Sequence, residues 1–250
     1  MKKILKTLTL GLAVVMVMLS LAACGNTTDE TLTMATNAEF PPFEYIENGE
    51  IVGADIDIAT AIAEKLGKKL EITNIDFDAA LTGAATGKYD VAVAGITAND
   101  ERKQNMNFSN DYYTASQAII VLSDSTISTA DDLAGKTISC QEGTTGEQYL
   151  LDNNYTIQSY KTGAEAITAL ASGKVDAVVI DNAVALALSE KQNGATKVLD
   201  EALTKEAYAI ALKKGNDALT DEINKALDEL KADGTLASIF EKYELPYDAE

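Results

Sequence analysis

An internal near-repeat is the feature of this sequence that most limits its possible folds. Residues 80–93 (ALTGAATGKYDVAV) and residues 166–179 (AITALASGKVDAVV) share a helix-like stretch, a Gly-Lys turn, an aspartate and a buried strand. The two copies lie 86 residues apart in a chain of 250 residues. Helix–strand units also resemble one another by chance in α/β proteins. A repeat in so short a chain nevertheless favours two lobes of similar construction.

Strand-like and helix-like segments alternate from Leu32 onward, which predicts an α/β fold. The helical spacing of Ile58, Ile62 and Leu66 predicts a helix that Asp55 caps and Gly67 ends. An apolar stripe predicts a helix near the C-terminus; it consists of Leu219, Ile223, Leu227 and Leu230. The other predicted elements are a helix over 77–86 and strands over 32–35, 69–75, 91–96, 117–122, 137–141 and 208–212.

The strands of the two repeats end at positions suited to bind a ligand. With the offset of the repeat, Gly95 corresponds to Asp181. Ligands of open α/β sheets bind at the carboxyl ends of strands, so we expect these residues to face each other across a cleft. Asp181 follows the apolar run 177–180, where an unpaired carboxylate is costly. It either receives a cationic ligand group or caps a helix that begins at Asn182.

Two loops supply groups that bind anions. Residues 95–102 follow a buried strand and end in Arg102, whose guanidinium suits a carboxylate. Thr144 and Thr145 lie in a glycine-containing loop, 143–146, that opens a helix and offers amides and hydroxyls. Alternatively, Arg102 pairs with a surface acid and the second loop is an ordinary helix start.

These groups together suit a zwitterion, and a free α-amino acid is the commonest small one. Phe40 and Phe77 are candidates for the apolar walls of the site, or else for core residues.

The first residues are typical of a secretory signal. Lys2, Lys3 and Lys6 precede an apolar run, residues 8–21, that is shorter than the roughly 20 residues of a membrane-spanning helix. The run leads to Leu-Ala-Ala-Cys, the spelling of a bacterial lipobox, with the cysteine at Cys24. We therefore expect a signal peptide over 1–23, acylation of Cys24 and a polar tether over 24–31. An uncleaved anchor with a chance cysteine is the alternative.

Composition excludes several classes of function. Removal of a leader with three lysines and no acid takes the formal charge from −19 to −22, which disfavours nucleic-acid binding. The absence of histidine rules out histidine-dependent nucleophiles and histidine-ligated metals, and we expect no metal and no cofactor. Cys140 has no partner for a disulfide once Cys24 is acylated, and its apolar surroundings favour a buried structural thiol.

The chain resembles the polar amino-acid-binding family of solute-binding proteins that serve ABC importers. The stretches that match run in family order over nearly all of residues 32–245. They are 37–44 (NAEFPPFE), 53–57 (GADID), 76–78 (DFD), 94–97 (AGIT) with Glu101 and Arg102, 108–109 (FS) with 112–113 (YY), 143–146 (GTTG), and 176–178 (DAV) with Asp181. The resemblance implies a type II periplasmic-binding-protein fold, in which two lobes, each with a mostly parallel sheet flanked by helices, are joined by two crossover strands.

The lobes would then comprise residues 32–112 with 208–250 and residues 113–207. Two substitutions depart from the family pattern: Ala54 stands at a usually aromatic position, and Asp111 stands where a proline is usual before Tyr112.

The resemblance also implies roles for individual residues. The ligand's α-carboxylate would be held by Arg102, Thr97 and the Thr145 amide, and its α-ammonium by Asp181 and the Gly95 carbonyl. Thr144, beside Thr145, is a further candidate for ligand binding. The ligand's side chain would lie between Phe40 and Phe77. Residues that vary with the substrate in the family stand at Asn37, Glu39 and Gln141.

The expected function is that of a monomeric receptor, lipid-anchored on the outer face of the cell membrane, which delivers an amino acid to the membrane subunits of an importer. Glu39 and the net acidity favour arginine or lysine, whereas Asn37 is neutral where members of the family that bind basic amino acids often have an acid. Gln141 suits glutamine or cystine equally well. The competing functions are a dehydratase-like lyase on the same fold and a sensory or interaction module.

Overall fold

The computed structural model describes residues 30–247. The predicted signal peptide, the predicted acylation site at Cys24 and most of the predicted tether lie outside these residues. Among the helices of residues 30–247, none has the length and apolar character needed to cross a membrane.

The first lobe is built on a five-stranded sheet with the order β5-β1-β6-β15-β7. The strands of the first lobe and its small β2-β3-β4 sheet are β1 (Thr31–Thr36), β2 (Glu39–Phe40), β3 (Glu44–Glu47), β4 (Glu50–Val52), β5 (Lys69–Asn74), β6 (Val91–Ala92), β7 (Met106–Phe108) and β15 (Ala211–Lys213). Its helices are α1 (Ala54–Leu66), α2 (Phe77–Thr86), α3 (Asp100–Asn105), α7 (Asp217–Ala232) and α8 (Thr235–Lys242). Strand β1 is parallel to β5 and β6, whereas β15 is antiparallel to both of its neighbours.

The second lobe repeats this arrangement with the order β11-β10-β12-β9-β13. Its strands are β9 (Gln117–Leu122), β10 (Thr137–Gln141), β11 (Thr156–Tyr160), β12 (Ala177–Asp181) and β13 (Thr196–Val198). Its helices are α4 (Thr145–Asp152), α5 (Gly163–Ala171) and α6 (Asn182–Glu190), together with a 3₁₀ turn at Ala130–Leu133. Strand β10 is parallel to β11 and β12, and β9 is antiparallel to its neighbours, as β15 is in the first lobe. The prediction of two similar lobes with mostly parallel sheets is therefore confirmed.

Two short strands connect the lobes. Strand β8 (Tyr113–Ala115) leads into the second lobe, β14 (Glu206–Tyr208) leads out of it, and the two pair antiparallel. The strand predicted over 208–212 is thus divided between β14 and β15. The exact limits of the lobes stay a prediction.

The predicted cap of α1 is wrong. Asp55 lies inside the helix and is fully buried, and the helix is preceded by Gly53. The first amides of α1 donate instead to the carbonyls of Pro42 and Phe43, so no side-chain cap is needed. Gly53 has a φ of 135°, and a Cβ on it would lie 2.0 Å from the Phe43 oxygen, so this close backbone packing requires glycine.

The strand predicted over residues 91–96 is shorter than expected. Only Val91–Ala92 forms a regular ladder, although the following residues stay buried. The backbone turns at Gly95, which has a φ of 53°, and its amide donates to Asp55 over 2.8 Å. The regular strand therefore ends at Ala92, and Gly95 lies at the cleft.

The C-terminal helices pack on the first lobe as predicted. Helices α7 and α8 contact α1, and the buried stripe of α7 contains Ile223, Leu227 and Leu230. Helix α1 ends at Gly67 in the left-handed conformation, with a φ of 66°.

Candidate functional site

A small pocket lies between the lobes, at the carboxyl ends of the strands. Its cavity volume is about 10 Å³. Ligand sites typically enclose roughly 300–1,000 Å³, so the pocket is nearly closed in this structure. The residues that line it are Asn37, Phe40, Glu44, Phe77, Ala94, Gly95, Thr97, Arg102, Gln141, Thr144, Thr145 and Asp181.

Ten of the eleven ligand-binding residues predicted from the sequence line this pocket. They are Asn37, Phe40, Phe77, Gly95, Thr97, Arg102, Gln141, Thr144, Thr145 and Asp181. Glu39 is exposed and borders a separate open groove beside Tyr160 and Thr162. The position of Glu39 therefore gives no support to a cationic ligand.

Arg102 reaches across the cleft from the first lobe. Helix α3, capped by the Asn99 side chain, carries it, and its guanidinium donates to the carbonyls of Thr97 (2.9 Å) and Gly143 (3.0 Å). The guanidinium also lies 5.5 Å from the centre of the Phe77 ring. Burial lowers the pKa of Arg102, and the carboxylates of Glu206 and Asp181 oppose that effect, so the group stays charged. Two of its five N–H donors are occupied by these carbonyls.

Asp181 lies at the end of β12, on the opposite lobe, and only 4% of it is exposed. It occupies the position before α6 but makes no capping hydrogen bond. Its carboxylate instead accepts hydrogen bonds from Gln117 (3.0 Å) and from the hydroxyl of Tyr208. Burial, followed by the nearby charge of Glu206, raises the pKa of Asp181 to about 6. The alternative that Asp181 serves as a side-chain cap is therefore not supported.

A chain of amides fixes the orientation of Gln141. The Asn37 amide donates to the carbonyl of Ile75 over 3.1 Å, and the Gln141 amide donates to the Asn37 oxygen over 3.0 Å. A carbonyl only accepts hydrogen bonds, so the Ile75 carbonyl sets both amide groups. The Gln141 side-chain oxygen consequently has no partner among the described residues, although it is buried at the pocket.

The apolar wall depends on a glycine. Phe40 and Phe77 are 6% and 7% exposed, so they are largely buried in addition to lining the pocket. A Cβ on Gly95 would lie 2.8 Å from the Phe40 ring. Gly95 therefore permits both its own left-handed backbone and the close approach of the ring.

Glu206 contributes to the site although nothing in the sequence distinguished it from the many surface acids. One of its carboxylate oxygens accepts hydrogen bonds from the hydroxyls of Thr97 (2.6 Å) and Thr145 (2.7 Å), which belong to different lobes. The other accepts from Thr204 over 2.7 Å. Only the folded positions of these residues show that an acid on β14 joins the two predicted anion loops.

The described residues offer little for metal or thiol chemistry. Within residues 30–247, no group of His, Cys, Asp or Glu side chains is arranged to hold a metal ion. Cys140 is buried, and burial raises the pKa of its thiol to about 11. The thiol is therefore protonated near neutral pH and is not poised as a nucleophile.

Comparison with known proteins relates the chain to one family over most of its length. Residues 32–246 match the model of the bacterial extracellular solute-binding proteins, family 3. The arginine-binding extracellular protein ArtP of Bacillus subtilis is 32% identical, over 90% of this chain and 92% of ArtP. The L-cystine-binding protein TcyJ of Escherichia coli is 31% identical, over 85% of this chain and 82% of TcyJ.

Solved structures agree with this relationship. An ancestral arginine-binding protein is 44% identical and matches 86% of this chain and 98% of its own. The TM-score is 0.82 for its structure bound to glutamine and 0.81 for its structure bound to arginine. These relatives give no support to the lyase alternative.

We expect Asp181→Asn to make the stability of the ligand-free protein less dependent on pH. Folding raises the pKa of the Asp181 carboxyl from 3.8 to about 6, so the folded protein binds this proton more tightly than the unfolded chain does. The free energy of unfolding therefore falls as the pH rises through this window. Each pKa unit corresponds to about 1.4 kcal/mol, so the variant should avoid a loss of about 2–3 kcal/mol. The Gln117 amide can turn to accept from the new asparagine, because its oxygen has no partner.

Chemical denaturation at pH 4.5 and pH 7.5 measures this difference in the free energy of unfolding. Comparison with the wild type cancels the contributions of the acids that do not interact with Asp181. An unchanged pH dependence in the variant would show that the buried carboxylate costs the fold nothing.

Proposed function

We propose that this chain, which belongs to family 3 of the bacterial extracellular solute-binding proteins, captures a polar amino acid outside the cell for an ABC importer. It would do so as a lipid-anchored monomer without catalytic activity. The observation that carries the proposal is that Arg102 and Asp181 line one pocket from opposite lobes and are not paired with each other.

A zwitterion satisfies both groups at once. The ligand's α-carboxylate would bind the free N–H groups of Arg102 and the amide of Thr145, which lies in the first turn of α4 and lacks an intrahelical partner. The α-ammonium would bind the Asp181 carboxylate and the Gly95 carbonyl. Thr97 and Thr144 would lie beside the carboxylate, and their hydroxyls donate to Glu206 and to the Gln141 carbonyl. Phe40 and Phe77 would border the side chain.

The orientation of Gln141 narrows the class of ligand. Its unpartnered oxygen accepts hydrogen bonds, so a ligand side chain that donates them is favoured. Amide, ammonium and guanidinium groups meet this requirement. The names of the relatives include arginine-binding and cystine-binding proteins, and the ancestral protein was solved with arginine and with glutamine.

The proposed location rests on the sequence and on the extracellular relatives. The leader and Cys24 match a lipoprotein signal, and a diacylglyceryl cysteine supplies the two chains that stable anchoring needs. Such an anchor would keep the receptor at the outer face of the membrane that holds the importer's membrane subunits.

We expect Arg102→Ala to abolish useful binding while the fold is retained. The ligand is first identified by a thermal-shift screen of the free amino acids. A ligand that binds the folded state raises the free energy of unfolding, and at equal concentration a tighter ligand raises it more. Loss of the charge-assisted partner of the carboxylate should then weaken affinity roughly thirty- to several-thousand-fold. Titration calorimetry measures the change.

Lys103→Ala is the matched control, because Lys103 is exposed on the same helix and lies outside the pocket. It should bind like the wild type. Near-native affinity in Arg102→Ala would contradict the assignment, and consumption of a ligand by the wild type would favour the lyase instead.

We expect Cys24→Ser to release the protein from the membrane fraction. Serine cannot receive the thioether-linked lipid, and a chain this acidic has no electrostatic hold on anionic lipid. Fractionation of cells after a salt wash measures the distribution. Retention of the variant in the membrane fraction would show that the leader remains as an uncleaved anchor.

A further inference from the structure

Glu44 is a buried acid of the pocket for which the sequence analysis predicts no role. It is the first residue of β3, has an exposed fraction of 0% and lines the pocket. Neither of its carboxyl oxygens accepts a hydrogen bond from a donor of the described residues. A buried carboxylate without donors is expensive, so Glu44 requires either a proton or a cation.

The groups around Glu44 do not supply a cation. The titratable groups that face it are Asp55, Asp181, Tyr112 and Tyr208. Asp55 already accepts hydrogen bonds from the Gly95 amide (2.8 Å) and the Tyr112 hydroxyl (2.9 Å). Asp181 is likewise occupied by its two donors.

Complete burial and the absence of donors therefore favour the protonated form of Glu44 in the ligand-free pocket. Burial, and then the charge of Asp55, holds the pKa of Glu44 well above its usual range. Burial also raises the pKa values of Tyr112 and Tyr208, so both hydroxyls stay neutral and act as donors. In this state the neutral Glu44 carboxyl can donate a hydrogen bond to the neighbouring Asp55 carboxylate.

Of the two acids that line the pocket, Glu44 is the one that has no charged partner in the proposed complex until the ligand's side chain is considered. Arg102 matches the ligand's carboxylate, and Asp181 matches its α-ammonium. With a neutral side chain in the ligand, Glu44 keeps its proton. A guanidinium or ammonium group on the side chain supplies the cation that the protein itself lacks at this position.

We infer that Glu44 is the specificity-determining residue that binds a cationic side-chain group of the ligand. The inference rests on the proposed function. When the cation binds, the O–H bond of the Glu44 carboxyl breaks, its electron pair stays on the carboxylate, and the proton passes to the buffer. Binding of arginine or lysine should thus release a proton that binding of glutamine does not.

Calorimetric titrations of the purified protein with arginine and with glutamine test this inference. Each titration is performed in two buffers of different ionisation enthalpy, and the difference gives the number of protons released. Any proton that the Asp181 carboxyl releases to the buffer when the α-ammonium binds is common to both ligands and cancels in the comparison. We expect additional proton release with arginine in the wild type.

Glu44→Gln should weaken arginine binding at least about thirty-fold and should change glutamine binding far less. The variant should also lose the additional proton release. Glu47→Gln is the matched control, because Glu47 is an exposed acid on the same strand. It should behave as the wild type does with both ligands.

The outcomes separate the two proposals. Tight binding of neutral amino acids with no binding of arginine or lysine would overturn the role of Glu44 and leave the proposed function standing. Equal proton release with arginine and glutamine would also overturn it, and that result does not depend on whether the variant folds. Binding of no amino acid by the wild type would overturn both.

Discussion

The pocket holds a guanidinium and a carboxylate close to each other without letting them pair. Arg102 is engaged by the carbonyls of Thr97 and Gly143, and Asp181 by the hydroxyl of Tyr208 and the amide of Gln117. Each charge is held in place by neutral groups that leave it able to bind a further ion. Because the cost of burying Asp181 is met only in part, a ligand with an ammonium group gains affinity there.

Hydrogen bonds across the cleft link the two lobes around these charges. The Arg102 guanidinium donates to the Gly143 carbonyl, and the Gln141 amide donates to Asn37. Glu206, on a strand that connects the lobes, accepts hydrogen bonds from a threonine of each. A ligand that contacts both lobes binds this arrangement better than an open one, and that difference in affinity shifts the population toward closure.

The sequence predicted the parts of the fold and site that depend on local pattern and repetition. The near-repeat located Asp181 opposite Gly95, and helical spacing located α1 and its end at Gly67. The prediction from sequence was wrong for Asp55. It was expected to cap a helix, but it lies buried and accepts a hydrogen bond from the Gly95 amide. The sequence also did not reveal Glu44 as an acid without hydrogen-bond donors. Its surroundings come from distant segments that meet only in the folded chain.

A crystal structure of the protein with the amino acid that binds most tightly tests the central claim directly. The account predicts the α-carboxylate within hydrogen-bond distance of the Arg102 guanidinium and the α-ammonium within hydrogen-bond distance of the Asp181 carboxylate, so that one ligand contacts both lobes. A ligand bound in the reverse orientation, or in contact with only one lobe, would contradict it.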